Sequence, residues 1–228
     1  MEPGAGAWQV TAIHLDSVHY PDWHPRAGET GPVYAYLVRA GGRSVLVDTG
    51  IGPPHPLIDR LYQPRRRDPV IELLGHGVEP RDIEAVILSH LHFDHVGGAW
   101  NFPGVPIYVQ RAEWEAAQQA KYTIPEFLEF PGANFRLMDG DYEFAPGISI
   151  VATRDHTPGH QAVVVQGTDG VVVLAGQAIE TAAEFDALAG SSEPGVSVGR
   201  LLAHGPGEVL FSHDHATWRP TGSVSRTQ

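Results

Sequence analysis

The sequence predicts an α/β fold in which two sheets pack face to face with helices outside. Apolar and β-branched runs come in two successive sets, at residues 33–38, 44–47 and 85–88, and again at 147–152, 162–165, 171–174 and 208–212. In both sets histidines or carboxylates follow the runs, so polar residues gather at strand ends. Segments of good helix formers, above all 111–121, lie between them.

A chain of 228 residues can bury a full core and is expected to form one domain, with 1–32 an N-terminal strand and loop and 216–228 a C-terminal tail. Its 15 Lys and Arg against 27 Asp and Glu leave a formal charge of −12. That balance argues against binding a phosphate backbone, so no nucleic-acid partner is expected. With no cysteine there is no disulfide, thiolate metal ligand or cysteine nucleophile. The start Met1-Glu2-Pro3-Gly4 has no basic stretch leading into an apolar core, and no apolar run reaches membrane-spanning length. A soluble, cytoplasmic protein with no membrane partner is the expectation.

Taken in order, residues 8–15 read as an opening strand, and 16–32, rich in Pro, Gly, His and aromatics, as a loop able to overhang a site. The runs 33–38 and 44–47 form a hairpin about Gly41-Gly42. Asp48 ends the second strand, where a carboxylate either orients a metal-bound histidine or simply starts a turn. The run Arg65-Arg66-Arg67 reads as a solvated loop, with an anion-binding role as the alternative. A short helix is expected over 71–76, stopped by Gly77, then the strand 85–88, a strand at 107–109, the helix 111–121 and a short helix between Pro125 and Pro131. In the second half, helix 181–188 follows the strand 171–174.

The densest chemistry is at 90–95, where His90, His92, Asp94 and His95 directly follow an apolar run and precede Gly97-Gly98. In an extended backbone His90 and His92 project to the same side, so both reach one cation. Beyond the bend, Asp94 and His95 can address a second, with Asp94 favoured at a helix N-terminus. Neutral imidazoles with carboxylates suit Zn2+ or a comparable transition metal better than calcium or magnesium.

This motif, with Asp48-Thr49-Gly50 upstream and Thr157-Pro158-Gly159-His160 and Phe211-Ser212-His213-Asp214 downstream, resembles the metallo-β-lactamase superfamily, in particular its N-acyl-homoserine lactone lactonase branch. The likeness runs from about residue 33 to 215. It implies the four-layered αβ/βα sandwich, two mixed sheets flanked by helices with the site at one sheet edge. It also implies His90, His92 and His160 as ligands of a first metal, and Asp94, His95 and His213 as ligands of a second. His156 is then nearby support, and His215 a less favoured ligand than His213.

Two positions depart from that pattern. Gln177 stands where the family has an aspartate bridging both metals, and a neutral carboxamide offers one good oxygen instead of two anionic ones. Glu180 stands where homoserine lactone lactonases have a substrate-binding tyrosine; an ionised Glu cannot donate a hydrogen bond. Glu180 either returns negative charge to the site or is an ordinary surface residue.

The expected function is a metal-dependent hydrolase holding one or two Zn2+ and opening a lactone of acyl-homoserine-lactone type, hence quorum quenching. A bound cation would acidify water to a hydroxide nucleophile and polarise the carbonyl, while Asp94 shuttles the proton to the leaving alkoxide. Phe93, with Trp23, Tyr34 or Trp100, either walls an apolar acyl pocket or packs in the core. The alternatives are an esterase or phosphodiesterase acting on another small molecule, or a mononuclear, vestigial metal-binding protein without turnover. Monomer or homodimer is the expected state.

Overall fold

The computed structural model describes residues 7–220. Its first sheet starts from two long antiparallel strands, β1 (Gln9–His19) and β2 (Thr30–Ala40), and from β3 (Arg43–Val47), which returns beside β2. The turn between β2 and β3 places Gly41 and Gly42 at φ of 55° and 85°, backbone that glycine adopts freely. Then come α1 (Pro56–Tyr62), β4 (Arg65–Arg66), α2 (Pro69–Gly75), β5 (Ala85–Ile87), α3 (Phe93–Val96), β6 (Ile107–Gln110), α4 (Arg111–Ala117) and β7 (Phe135–Met138). Because β3, β5, β6 and β7 are parallel, this seven-stranded sheet is mixed, in the order β4-β1-β2-β3-β5-β6-β7.

The second sheet holds β8 (Tyr142–Ala145), β9 (Ile148–Ala152), β10 (Gln161–Gly167), β11 (Gly170–Leu174) and β12 (Glu208–Leu210). Its order is β12-β11-β10-β9-β8, with β12 alone running parallel to its neighbour. Between β11 and β12 the chain forms α5 (Ala182–Ala189), capped by the Thr181 side chain, and α6 (Val196–Leu202).

Alternation along the strands explains the layers. In β2, Tyr36 and Val38 pack between the sheets with Ile148, Ile150, Val163 and Val165. Their neighbours Val33, Ala35 and Leu37 join Ile58 and Leu73 of α1 and α2 on the outer face. In β10, Val163 and Val165 turn inward while Ala162 and Val164 meet Phe185, Val198 and Leu201 of α5 and α6. Strands covered on both faces read as continuous apolar runs, which is why they stood out in the sequence. The result is the expected α/β sandwich of two mixed sheets flanked by helices.

Several expectations are corrected. The loop expected at 16–32 shrinks to 20–29, because β1 and β2 stay paired from Gln9↔Arg39 to His19↔Thr30 across a bulge between His14 and Asp16. The basic run is not simply a solvated loop: β4 pairs with Asp16 and Ser17, and Arg66 bonds Asp59 and the Gly52 carbonyl. The helix expected to reach residue 121 stops at Ala117, and Lys121 takes a left-handed φ of 70°. Of the expected C-terminal tail, 221–228 lie outside the described residues, whereas Trp218 pairs back with Val209 and bonds Asp186. The sequence carries no clear signal for α1, α6, β7 or β8; in β7 and β8 only Met138 and Ala145 are buried, so their apolar pattern is weak. Among the described residues no helix is long and apolar enough to cross a membrane.

Candidate metal centre

The strand ends of both sheets converge on one cluster of imidazoles. From β5 the chain runs through Ser89, His90, Leu91 and His92 into α3, a single turn that carries Asp94 and His95. His90 and His95 are fully buried. Gly97 and Gly98 follow because the loop after β3 presses on them: a Cβ at Gly97 would meet the Ile51 carbonyl at 2.0 Å, and one at Gly98 the Thr49 carbonyl at 2.1 Å. That contact holds α3 against Asp48.

Asp48, at φ 60°, turns its buried carboxylate into the cluster. Its Oδ1 accepts from the Ser89 N–H at 2.7 Å, and its Oδ2 from the Ser89 hydroxyl and His95 Nδ1, each at 2.8 Å. A carboxylate or carbonyl can only accept, so these contacts assign ring protons. His95 carries hydrogen on Nδ1, and His213, whose Nδ1 donates to the Pro32 carbonyl at 2.8 Å, does likewise. Both therefore aim Nε2 inward, 3.3 Å apart. Asp94 Oδ2 lies 3.5 Å from His213 Nε2 and 3.9 Å from His95 Nε2, and Gln177 Oε1 lies 3.1 Å from His95 Nε2.

This is a set of converging acceptors that fits a divalent cation, and its carboxylates also favour positive charge on His95. Burial opposes charge on His95, but Asp48 and Asp94 outweigh it and push the imidazole up to about 9. Burial acts the same way on Asp94, raising it, but His95, His213 and His92 prevail and hold its carboxyl below the usual range. Burial first, then neighbouring imidazoles, pull His90 and His160 far down and bring His92 and His156 to about 4, so those rings are neutral, the form in which an imidazole binds a metal.

The ligand atoms of Asp94, His95 and His213 lie within 4.8 Å of one another, as do those of His90, His92 and His156. In the second group, His92 Nδ1 is 3.0 Å from His90 Nε2 and 3.2 Å from His156 Nε2. His160, expected with His90 and His92, is buried beside His90 at a ring separation of 5.3 Å. Its Nε2 accepts the Gln177 N–H at 2.9 Å, so its Nδ1 donates to Thr153 Oγ1 at 2.7 Å. His215 stays outside the cluster, exposed and bonded to the Tyr34 hydroxyl.

A cavity of about 710 Å³ opens over the centre, with His92, Asp94, Gln177 and His213 at its floor. Trp23, Leu57, Leu61, Tyr62, Phe93 and Ile124 give it a mainly apolar wall. The shortened 20–29 loop contributes Trp23 and His24 to it. Phe93 packs on Tyr62 with ring centres 4.6 Å apart. Tyr34 and Trp100 do not line this cavity, and neither does Glu180, whose Oε1 accepts from Gln177 Nε2 at 2.8 Å. A larger groove of about 840 Å³ beside Arg39 and Arg43 contains none of the ligand candidates.

One important residue was missed in the sequence. Glu113 of α4 is fully buried, and its carboxylate accepts from the Leu91 N–H at 2.8 Å, the Tyr122 hydroxyl, the Thr157 hydroxyl at 2.6 Å and the Gly159 N–H at 3.2 Å. It thereby ties the His90–His92 segment to the loop carrying His156 and His160. The available signal was its place on the face of α4 that also buries Ala116 and Ala117, at i, i+3 and i+4.

Sheets layered between helices, with histidines and aspartates gathered at the strand ends below a cavity, form a candidate metal-dependent enzyme site, and the proteins this chain resembles make that enzyme a hydrolase. The chain belongs to the metallo-β-lactamase superfamily, whose sequence profile matches residues 28–223. An N-acyl homoserine lactonase from a Bacillus species is 36% identical over 170 residues, 68% of this chain and 67% of that protein. Another, from Bacillus cereus, is 34% identical over 168 residues with the same coverage. Among solved structures, a quorum-quenching N-acyl homoserine lactone hydrolase superposes with a TM-score of 0.74 at 28% identity, covering 94% of this chain and 95% of that one. An AiiA variant from B. thuringiensis, with N-decanoyl-L-homoserine bound at its active site, gives a TM-score of 0.74 at 26% identity over 92% of this chain and 94% of that one.

Proposed function

We propose that this hydrolase opens the ring of a lactone bearing an acyl chain, of the acyl-homoserine-lactone type. The observation that carries the reading is the juxtaposition of an apolar cavity with a floor of oriented imidazoles. His90, His92 and His160 would hold one divalent cation and Asp94, His95 and His213 a second, with zinc fitting the nitrogen-rich set. We choose His160 over His156 because it is fully buried and its Nδ1 is fixed by Thr153, the arrangement by which proteins orient a metal-binding imidazole. His156 is the exposed flank of the same group.

A cation bound there would supply Lewis acidity toward the lactone carbonyl and toward water. Asp94, ionised at neutral pH and at the cavity floor, takes the proton of the attacking water. As the new C–O bond forms and the ring C–O bond breaks, it returns that proton to the departing ring oxygen, leaving a hydroxy acid. Phe93 and Tyr62 exclude water from one side of the acyl chain. The relatives named for this activity support the substrate class.

The test is proton release with acyl-homoserine lactones, simple lactones, esters and phosphodiesters as parallel substrates. Lactone turnover that is lost on chelation and restored by zinc is expected. Hydrolysis of phosphodiesters without lactones would overturn the substrate assignment.

A further inference from the structure

Gln177 occupies the space between the two ligand groups. It follows β11 through Ala175 and Gly176, and Gly176 is pressed so close that a Cβ there would meet His160 Nε2 at 2.7 Å and Ser89 Cβ at 2.9 Å. This turn sets the Gln177 N–H on His160 Nε2 at 2.9 Å and its side-chain oxygen 3.1 Å from His95 Nε2. One residue thus touches an imidazole of each group.

A carboxamide has two unlike ends, and Glu180 determines which faces the metals. Glu180 Oε1 can only accept, so the group 2.8 Å from it must be the Gln177 NH2. The opposite orientation would set two oxygens against each other at that distance. Glu180 Oε2, in turn, is buried and has no hydrogen-bond partner among the described residues. A buried carboxylate oxygen left so is costly unless its charge serves a neighbour.

We propose that Gln177 and Glu180 act as one metal-binding unit, in which Gln177 Oε1 is a neutral ligand for the cation held by Asp94, His95 and His213, and Glu180 locks that amide in its ligating orientation. Resting on the reading of the site as a metal centre, it names a positioning residue for a ligand that no carboxylate replaces. An N–H···carboxylate bond also draws electron density toward the amide oxygen, so Glu180 returns part of the negative charge that the position of Gln177 lacks. The cation in the Asp94 group is then held more weakly than that in the His90 group, and its affinity depends on Glu180.

The experiment is a titration of chelator-stripped protein with Zn2+ followed by calorimetry, and with Co2+ followed by visible absorption, which reports ligand geometry. Wild type is expected to bind a tight and a weaker equivalent. Glu180→Gln should weaken the second by roughly 10- to 100-fold and leave the first in place, because its amide lacks the charge and can no longer dictate which end of Gln177 faces inward. In the Gln177→Asp background there is no amide left to orient, and Glu180 becomes a like-charged neighbour of the new carboxylate, so the same Glu180→Gln change should not weaken the second equivalent. A wild type that binds only one equivalent, a Glu180→Gln protein with unchanged second affinity, or an equal loss in the Gln177→Asp background would each overturn the proposal. Should Glu180→Gln not fold, Glu180→Ala alone and with Gln177→Asp makes the same comparison. Since turnover is not read, protein that binds both cations this way yet opens no lactone sinks only the functional reading.

Discussion

Asp48 Oδ2 lies 2.8 Å from His95 Nδ1, with both side chains buried, at the junction of β3 and α3. The contact assigns the His95 tautomer and points Nε2 at the cavity floor. Asp48→Asn can still accept at one oxygen but has to abandon either Ser89 or His95. Metal affinity at the Asp94, His95 and His213 group should fall roughly 10- to 100-fold, as measured by competition with a chromophoric chelator. Unchanged affinity would show that the pair is structural only.

The two imidazoles of the 153–160 loop make separable predictions. His160→Ala should remove close to one equivalent of zinc by elemental analysis and abolish lactone turnover. His156→Ala should keep full metal content and lower turnover only modestly. The reverse pattern would assign His156, which lies 3.2 Å from His92 Nδ1, as the ligand.

Glu113→Gln tests the tie between the two ligand loops. A glutamine side chain has one acceptor oxygen, so the Thr157 hydroxyl and Gly159 N–H, both on Oε2, would face an NH2 group. Leaving two buried donors unpaired costs about 2–4 kcal/mol, to be read from urea unfolding of the metal-free protein. A change below about 1 kcal/mol would mean that water replaces the carboxylate.

Asp16 gives a pH signature from a carboxyl outside the proposed ligand set. Burial pushes its carboxyl up to about 6 from 3.8, against the Ile51 and Arg67 N–H groups that favour the ionised form. A carboxyl raised on folding contributes stability that is present below 3.8 and lost as pH rises through about 6. Relative to Asp16→Asn, metal-free wild type should therefore lose roughly 3 kcal/mol of stability between those limits, at about 1.4 kcal/mol per unit. A flat difference between the two urea midpoints across this window would contradict the buried placement.

The cavity wall predicts chain-length selectivity. Leu61→Trp adds bulk to the wall of the space of about 710 Å³. KM for long-chain acyl-homoserine lactones should rise severalfold while that for short-chain substrates changes little. Equal shifts for both would place the acyl chain elsewhere.

Much of the fold could be read from the chain because its strands are covered on both faces, so runs such as 33–38 and 162–165 are continuously apolar. The edges were harder. β7 and β8 are partly solvated, and β4 is two arginines that pair only because β1 extends past its bulge to Asp16 and Ser17. The loop at 16–32 was overestimated for the same reason: Pro and Gly suggest a break, but pairing with β1 carries β2 through Pro32. Within the site, residue types and the compact 90–95 motif marked the imidazoles and Asp94, whereas Glu113 looked like one more helical carboxylate.

What the sequence by itself determined was therefore local: the strand runs, the identity of the metal-ligand candidates, the absence of thiolates and the unusual Gln177 and Glu180. What only the tertiary structure decided was partnership. Asp48 meets His95 across 47 residues, Gln177 meets His95 across 82, and His213 meets Pro32 across 181. These separations carry no periodic signal, yet they determine which ring nitrogen is free and which way the Gln177 amide points. Tautomer and amide orientation are set by the acceptor that packing brings within hydrogen-bond reach, and packing is a property of the whole sandwich.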